Sequence, residues 1–222
     1  MDTSSTKYQI SKALPLGGLG GLLIHPTYFP SISHFVAIAQ ADTICYEVDD
    51  NFQKQTNRNR MYLYSPNGVQ ILNIPIKHSE NPHQKTKDVK IEYDFDWRKQ
   101  HFKSLEAAYR SSPFFEYFED ELRPIFDKKH TFLMDLNFES IELCFKFLRI
   151  EKETSKTLEY FREVSGVHDF RSLANGKKDT SKFEAYPQVF KNKHGFINNL
   201  SVLDLIFNEG KFALDYLKAQ TV

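Results

Sequence analysis

The sequence predicts an α/β fold with a mixed or parallel sheet, a β-hairpin insertion and a mostly helical C-terminal half. The sheet is expected to begin with a βαβ unit, which three features of residues 16–48 predict. They are an apolar strand that ends in "LLI", an amphipathic helix, and a second strand, "TICYEV". Two strands joined by one helix in so short a stretch are normally parallel, with a right-handed crossover.

The chain starts with a polar tail, residues 1–15, and we expect a single domain over residues 16–220. An apolar run interrupted by glycines begins at Leu16 and leads into the first predicted strand, "LLIHP". This run is too short and too rich in glycine to cross a bilayer, and no small-residue cleavage site follows it. We therefore expect no membrane insertion and a cytoplasmic location.

The first helix is predicted within "SISHFVAIAQAD", residues 31–42. Ile32, Phe35, Val36 and Ala39 recur at helical spacing, so their side chains share one face. The following segment, "TICYEV", is rich in β-branched and aromatic residues, which is typical of a strand. The helix would therefore connect the two strands of the βαβ unit.

A β-hairpin is predicted for "MYLYSPNGVQILNIPI", residues 61–76. Its turn contains Pro66, Asn67 and Gly68, and both Asn and Gly tolerate positive φ angles. A polar loop, residues 77–88, follows the hairpin. After it, "VKIEYDF" is predicted to form a further short strand.

The C-terminal half, from about residue 96 to 220, is predicted to be mostly helical. Asp96 is expected to cap a helix over residues 97–110. A second helix is expected with Pro113 near its first turn, and a third over residues 137–150. The stretch 151–187 is more polar and is predicted as loop with short elements.

The last predicted helix begins at Ser201. Asp204 follows three residues later, which is the spacing of a capping box. Gly210 then supplies a residue that readily ends a helix. These three positions predict a short helix that starts at Ser201 and stops at Gly210.

Composition narrows the function classes. The 29 basic and 29 acidic residues cancel, and a protein that binds nucleic acid generally needs a basic surface to replace phosphate counterions. We therefore expect no nucleic-acid partner. Cys45 and Cys144 lie far apart in apolar runs, so we expect buried free thiols and a reducing compartment.

Charged residues are concentrated in "DDNFQKQTNRNRMYLY", residues 49–64. Arg58 and Arg60 are two residues apart at the expected entry to a strand, so both guanidinium groups would project to one face and could clamp phosphate or carboxylate. Asp49 and Asp50 follow the second strand, where open α/β sheets place their ligands. The alternative is that these charges pair with each other at a solvated edge.

The turn after the first strand is a second candidate site. "IHPTYFPSISHF" contains His25 and Tyr28 and leads into a helix N-terminus, which favours anions. This strand–turn–helix arrangement loosely resembles the class I nucleotidyltransferases. Their HxGH motif would fall on residues 31–34, where only His34 matches, and no lysine-rich partner motif is present. The alternative is an ordinary, partly buried histidine.

A third candidate is the polar loop "KHGFINNLS", which contains His194 and Asn199 and precedes the last helix. The alternative role for this loop is helix capping. The histidines and cysteines show no ligand spacing for a structural metal. The glycines match neither a P-loop nor a dinucleotide fingerprint. We therefore expect no metal ligands among the site residues, and the sequence leaves the cofactor open.

Four segments, taken together, resemble the WbqC-like family, in particular its branch in Bacteroidetes-type bacteria. They are "TYFPSISHFVAIAQADTICYEVDDNFQKQTNRNRMYL", "NGVQILNIPI", "DWRKQHFKSLEAAYRSSPFFEYFEDEL" and "VFKNKHGFINNLSVLDLIFNEG". The resemblance covers residues 22–210. It includes a direct match to the family pattern at Lys54, Gln55, Arg58, Asn59 and Arg60.

The resemblance implies a function in O-antigen or other surface-polysaccharide synthesis, with a glycine-transferring or related aminoacyl role suggested for the family. We expect a transferase that moves an acyl or aminoacyl group onto a sugar. Arg58 and Arg60 would hold a nucleotide-sugar or activated donor. The general base is left open among Asp49, Asp50, His101 and His194.

Two alternatives remain open at the level of the sequence. One is a nucleotidyltransferase-like enzyme, and the other is a non-catalytic binding or scaffold protein that works with glycan-assembly enzymes. In each reading, the site is expected where residues 25–31, 49–60 and 193–199 converge. The expected substrate-binding residues are therefore His25, Tyr28, Lys54, Gln55, Arg58, Asn59, Arg60 and Asn199.

Overall fold

The computed structural model describes residues 20–222. The predicted polar tail, residues 1–15, and the start of the first apolar run lie outside the described residues. The strands are β1 (Gly21–Ile24), β2 (Thr43–Tyr46), β3 (Arg60–Ser65), β4 (Gly68–Asn73), β5 (Glu153–Lys156) and β6 (Val167–Asp169). The helices are α1 (Ile32–Gln40), α2 (Trp97–Tyr109), α3 (Phe115–Asp127), α4 (Leu133–Leu148), α5 (Lys191–His194), α6 (Val202–Glu209) and α7 (Ala213–Ala219).

Four strands form a parallel sheet in the order β5-β2-β1-β6. β1 and β2 are parallel neighbours joined by α1, so the predicted βαβ unit is confirmed. The chain passes from β1 to β2 and β5 on one side, and β6 then pairs on the other side of β1. The strand order therefore reverses at β1, and open α/β sheets bind ligands beyond the carboxyl ends of the strands at such a point.

The two edge strands lie in the stretch that the sequence assigns to loop with short elements. β5 has the sequence "ETSK" and is largely exposed, and β6 is three residues long. Neither strand carries the apolar alternation that identifies a strand in a sequence. Their positions are determined by pairing with β2 and β1 rather than by local pattern.

The predicted hairpin is confirmed as the antiparallel pair β3–β4, with Gly68 at a φ of 93° in the turn. The strand predicted for residues 89–95 is wrong. Lys90 and Ile91 form only isolated bridges, to Phe132 and Ile76 respectively. Pro75, beside this segment, has no N–H to donate, so a regular ladder cannot continue there.

The helical C-terminal half is confirmed, with a change at one helix start. Asp96 Oδ1 accepts from the Lys99 N–H at the start of α2, as expected of a cap. α3 begins at Phe115, so Pro113 lies two residues before the helix and near its first turn, as predicted. α4 begins at Leu133, four residues earlier than predicted. Asn137 is not near a helix start but is fully buried within α4.

The capping box predicted at α6 is only half right. Ser201 Oγ accepts from the Leu203 N–H, as expected. The Asp204 carboxylate turns into the core and accepts from the Tyr186 hydroxyl at 2.5 Å. Gly210 ends α6 with a φ of 53°, and a Cβ there would lie 2.7 Å from the ring of Phe114.

A single hydrophobic cluster connects the sheet, the hairpin and the helices. Cys45 and Cys144 are buried and free, as predicted. Of the helices in residues 20–222, none has both the length and the apolar character needed to cross a membrane.

Candidate functional site at the carboxyl edge of the parallel sheet

A polar cavity of about 510 Å³ lies at the carboxyl edge of the parallel sheet. His25 follows β1, Asp49 and Asp50 come after β2, and Asp169 and Arg171 lie at the end of β6. Parallel strands present all their carboxyl ends at one edge, so three separate segments deliver charged side chains to one place.

A buried ion pair forms one wall of the cavity. Arg58 donates from Nη2 to Asp50 Oδ2 at 2.6 Å, and Thr86 Oγ1 donates to the other carboxylate oxygen at 2.7 Å. Arg58 is only 2% exposed and also reaches Thr56 Oγ1 at 3.3 Å. Its Nε has no partner among residues 20–222. Each charge compensates the other inside the protein, where an isolated charge is very costly.

Arg171 organises the opposite wall. Its Nε and Nη2 hold the two carboxylate oxygens of Asp169 at 2.9 and 2.7 Å, and its Nη1 lies 3.3 Å from Glu47 Oε2. Nη1 also donates to the Phe161 carbonyl, and Nη2 to the Arg162 carbonyl. One guanidinium therefore links the ends of β2 and β6 to the loop between β5 and β6.

These contacts set the charge states of both carboxyl groups. Burial raises the pKa of Glu47, against the opposing effects of the Asp49 N–H, Thr157 and Arg171. Burial also opposes ionisation of Asp169, but the hydrogen bonds from Arg171 outweigh it and lower the pKa of Asp169. Asp169 is thus the ionised partner of Arg171.

Tyr160 adds an aromatic surface to the cavity. Its ring lies under the Arg171 guanidinium, whose central carbon is 5.2 Å from the ring centroid. The residue is 46% exposed, so part of the ring is open to a ligand. Aromatic faces of this kind stack on nucleobases.

His25 is held neutral at the inner end of the cavity. Its Nε2 lies 3.7 Å from Asp50 Oδ2, too far for a hydrogen bond. Burial, followed by the charges of Arg58 and Arg171, lowers the pKa of His25 well below its usual value. The ring is therefore neutral near pH 7, and its Nδ1 is buried without a hydrogen-bond partner among residues 20–222.

Lysines line the outer part of the cavity. Lys85 and Lys87 hold the Asp49 carboxylate at 3.0 and 2.6 Å, which lowers the pKa of Asp49. Lys178 lines the cavity and is exposed. Within the described residues its ammonium forms no ion pair, so its charge is available to a ligand.

The remaining residues of the charged stretch lie outside the cavity. Arg60 begins β3 and is half-buried. Asn59 donates from Nδ2 to the Ile74 carbonyl at 3.1 Å. Lys54 and Gln55 are exposed, and Gln55 accepts a long hydrogen bond from Lys177. The structure therefore brings Arg58 to the cavity without Arg60, and it does not assemble the expected clamp.

Tyr28 and His101 form a buried pair in the core, away from the cavity. The Tyr28 hydroxyl donates to His101 Nδ1 at 3.1 Å, and His101 Nε2 donates to the Asn73 carbonyl at 3.2 Å. Burial lowers the pKa of His101 to about 4. Both ring nitrogens are engaged, and the pair connects the 25–31 turn to α2 and the hairpin.

The 193–199 loop does not join the other two segments at the cavity. His194 Nε2 donates to the Pro66 carbonyl at the hairpin turn. Asn199 accepts from the Ser33 N–H at 3.0 Å and donates to Asp179 at 2.7 Å, which anchors the start of α1. In place of this loop, residues 169–178 complete the cavity.

His34 is also outside the cavity. Its Nδ1 lies 3.0 Å from Ser31 Oγ, and burial lowers its pKa to about 4. This is the environment of an ordinary buried histidine, so the comparison with the HxGH motif finds no support in its geometry. In the described part of the chain, no three His, Cys, Asp or Glu side chains are arranged to hold a metal ion.

Several cavity residues have no counterpart among the sequence-based candidates, and they include Tyr160, Asp169, Arg171 and Lys178. Asp169 and Arg171 stand at a strand end, in the same relation as Asp49 and Asp50. Their position at a strand end is visible only if β6 is known. A strand of three residues is too short to show a periodic pattern of apolar residues in the sequence. Tyr160 and Lys178 lie in irregular segments that carry no signal of their own.

Comparisons with known proteins agree with the resemblance seen in the sequence. The profile of the WbqC-like protein family matches residues 25–174. A protein from Mycobacterium tuberculosis (strain ATCC 25618 / H37Rv), described as "Uncharacterized protein Rv1507c", is 26% identical over 226 residues, covering 88% of this chain and 96% of the relative. No solved structure matches the chain significantly.

Proposed function

This chain belongs to the WbqC-like protein family, and from that premise we propose that it is a transferase of surface-glycan assembly. It would move an acyl or aminoacyl group, such as glycyl, onto a sugar. The cavity at the carboxyl edge of the sheet is the observation that carries the proposal. We further propose that the protein works in the cytoplasm, where Cys45 and Cys144 would remain reduced.

The size and lining of the cavity suit a polar small molecule. A volume of about 510 Å³ lies within the range of roughly 300–1,000 Å³ that is usual for ligand pockets. Nearly all its lining side chains are polar or charged. The family match begins at His25 and ends at residue 174, so it includes side chains from both walls.

The nucleotide-sugar acceptor and a phosphate-bearing acyl donor are both anionic, and the cavity would bind the phosphate groups of either one. Lys178 has no competing ion pair among the described residues, and Lys85 is 38% exposed in its side chain. Both ammonium groups suit a phosphate as point charges. The open face of Tyr160 would stack on the base of a nucleotide-sugar. The buried guanidinium of Arg58, held by its hydrogen bond to Asp50, would add positive potential at the cavity wall.

His25 is the general base of this proposal. Asp49 is neutralised by two lysines and Asp50 is committed to Arg58 and Thr86. The neutral imidazole of His25, whose Nδ1 has no partner among the described residues, is left as the proton acceptor. The sugar hydroxyl or amine would attack the acyl carbonyl carbon, and its proton would pass to His25. The bond from the carbonyl to the leaving group then breaks, and the leaving group takes the proton from His25.

The test is an activity assay by mass spectrometry. Purified protein is incubated with acetyl-CoA or a glycyl thioester and with UDP-glucosamine as acceptor. We expect acceptor mass to increase by the transferred group, and we expect His25→Gln to reduce the rate about 100-fold or more. His78→Gln, at an exposed histidine away from the cavity, is the matched control.

Loss of activity in His25→Gln counts only if the variant unfolds at the same temperature as the unaltered protein. Equal rates in the two proteins would remove His25 as the base. No product from any donor, with well-folded protein, would contradict a transferase and favour the non-catalytic binding protein.

A further inference from the structure

The outer edge of β4 is the free edge of the hairpin. β3 and β4 form a two-stranded sheet, and no further strand pairs with β4 among residues 20–222. The run from Gly68 to Ile76, "GVQILNIPI", contains no charged residue. Exposed edge strands normally carry charges, prolines or bulges that prevent pairing with another chain. β4 itself contains no charged residue and no proline.

Register identifies which backbone groups face outward. Ile74 N–H donates to the Asn59 carbonyl at 2.9 Å, so these two residues form a hydrogen-bonded pair. Hydrogen-bonded and non-hydrogen-bonded pairs alternate along an antiparallel ladder. Asn73, opposite Arg60, is therefore in a non-hydrogen-bonded pair, and so are Ile71 and Val69, two and four residues earlier in β4. The N–H and C=O groups of Val69 and Ile71 must point away from β3.

The opposite edge of the hairpin is already covered, as the same alternation requires. The Tyr62 carbonyl accepts from the Ser201 N–H at 2.9 Å, and the Tyr64 N–H donates to the Tyr109 hydroxyl at 3.1 Å. On β4, the Asn73 carbonyl accepts from His101. The outward groups of Val69 and Ile71 have no partner in the part of the chain that the structure describes.

A cleft of about 870 Å³ runs beside this edge, between β4 and α2. Val69 and Ile71 line it and are 52% and 45% exposed. Lys99 and Lys103 line it from α2, one helical turn apart, and so share a face. The cleft thus combines a strand edge, two apolar side chains and two ammonium groups.

Basic side chains outnumber acidic ones along the cleft, so its occupant is expected to be negatively charged. Among the described residues that line the cleft, only Asp96 is acidic. Lys193 adds positive charge at the turn, where its Nζ donates to the Pro66 carbonyl at 2.7 Å. An extended acidic chain would place its carboxylates near these lysines and its backbone against Val69 and Ile71.

We infer that the cleft between β4 and α2 binds an extended, acidic segment of a partner protein by strand addition. The segment would become a third strand on β4, hydrogen-bonded to Val69 and Ile71. Alternate side chains would lie against the apolar pair or toward Lys99 and Lys103, because side chains alternate along a strand. This inference is independent of the proposed transferase activity.

The test uses labelled hexapeptides that alternate glutamate with valine, isoleucine, leucine or phenylalanine, with binding to the full chain followed by fluorescence anisotropy. We expect at least one peptide to bind with a Kd below about 1 mM. Charge reversal in Lys99→Glu/Lys103→Glu should weaken binding about tenfold or more. Lys211→Glu/Lys218→Glu makes the same charge change on the C-terminal elements and should leave binding unchanged.

A second variant tests strand addition itself. Ile71→Pro removes one outward N–H and leaves the β3–β4 hydrogen bonds in place, and edge strands tolerate such a proline. Binding should weaken, and in the unaltered protein the Val69 and Ile71 amides should gain protection from hydrogen exchange when peptide binds. The inference is overturned if no peptide binds, if binding survives charge reversal, or if the protein instead dimerises through this edge.

Discussion

Arg58 donates a 2.6 Å hydrogen bond to Asp50, and both side chains are almost completely buried beneath the cavity. The two residues are only eight positions apart, so the chain between β2 and β3 must turn back on itself to bring them together. Asn137, from the middle of α4, holds the same turn by donating to the Arg58 carbonyl at 2.8 Å. The charged stretch is therefore an internal support of the cavity.

Truncation of this pair should be strongly destabilising. Arg58→Met leaves the Asp50 carboxylate buried without its countercharge, which should cost about 3–5 kcal/mol of unfolding free energy. The double variant Asp50→Asn/Arg58→Met should recover part of this loss, because no unpaired charge remains. Urea unfolding of the single and double variants measures both effects.

Lys146→Ala is the matched control for this prediction. Lys146 pairs with Glu121 at 2.8 Å, but both side chains are well exposed. Its loss should cost less than about 1 kcal/mol. Equal losses for the buried and the exposed pair would contradict the role assigned to Arg58.

Arg171 should control the order of the loop between β5 and β6. It holds Asp169 with two hydrogen bonds and also binds the carbonyls of Phe161 and Arg162. Arg171→Lys cannot reproduce this planar set of donors, so amides in residues 158–171 should exchange with deuterium faster. Unchanged exchange in this loop would show that other contacts hold it.

The protein should lose stability as pH falls below about 6.5, the ordinary pKa of histidine. Burial lowers the pKa of both His34 and His101 to about 4, so between these values the unfolded chain binds protons that the folded chain does not. Each group can cost up to about 3 kcal/mol across this window. His101→Gln should reduce the slope of unfolding free energy against pH between 4 and 6.5.

His83→Gln is the control for the histidine prediction, because His83 is exposed in a polar loop. It should leave the slope unchanged. A His101→Gln profile parallel to that of the unaltered protein would show that His101 does not contribute to acid sensitivity.

Protonation of Asp204 should affect the pH dependence of stability in the direction opposite to that of the two histidines. Burial raises its pKa to about 6, against an unfolded value near 3.9, so the folded state binds the extra proton between these values. This contribution to stability is therefore present at low pH and lost as pH rises through 6. Asp204→Asn should compare more favourably with the unaltered protein at pH 7 than at pH 4, by up to about 3 kcal/mol.

Chemical unfolding at the two pH values tests this directly. An asparagine retains an oxygen able to accept from Tyr186 and Gln188, as Asp204 does, so the comparison isolates the ionisation. A difference between variant and unaltered protein that is the same at both pH values would contradict the assigned pKa shift.

Regular elements could be predicted from the sequence because their signals are local. The helical spacing of Ile32, Phe35 and Val36, and the turn residues at 66–68, each specify structure within a few positions. β5 and β6 carry little apolar pattern because they lie at the sheet edges. Their existence depends on backbone pairing with β2 and β1, which no local rule detects.

The same distinction between local sequence signals and tertiary pairing applies to the residues of the candidate site. Asp49, Asp50, Arg58 and His25 could be placed near a ligand site because they follow or adjoin recognisable strands. Asp169 and Arg171 depend on β6, and Lys178 lies in an irregular segment, so no local pattern predicts them. The chemistry of His101 suits a general base, but both its ring nitrogens are hydrogen-bonded, to the Tyr28 hydroxyl and the Asn73 carbonyl. Only the tertiary structure reveals such pairing.

The central claim is that the cavity between His25, Tyr160 and Lys178 binds a phosphate-bearing substrate, either the UDP-sugar acceptor or the acyl-CoA donor. Its most direct test is titration calorimetry of UDP-sugars and acetyl-CoA against the unaltered protein, the Tyr160→Ala/Lys178→Ala variant and the control Lys218→Ala. We predict that at least one of these ligands binds the unaltered protein and the control alike, and that the double variant loses about tenfold or more in affinity. Equal affinity in all three proteins, or no binding by any of these ligands, would contradict the claim.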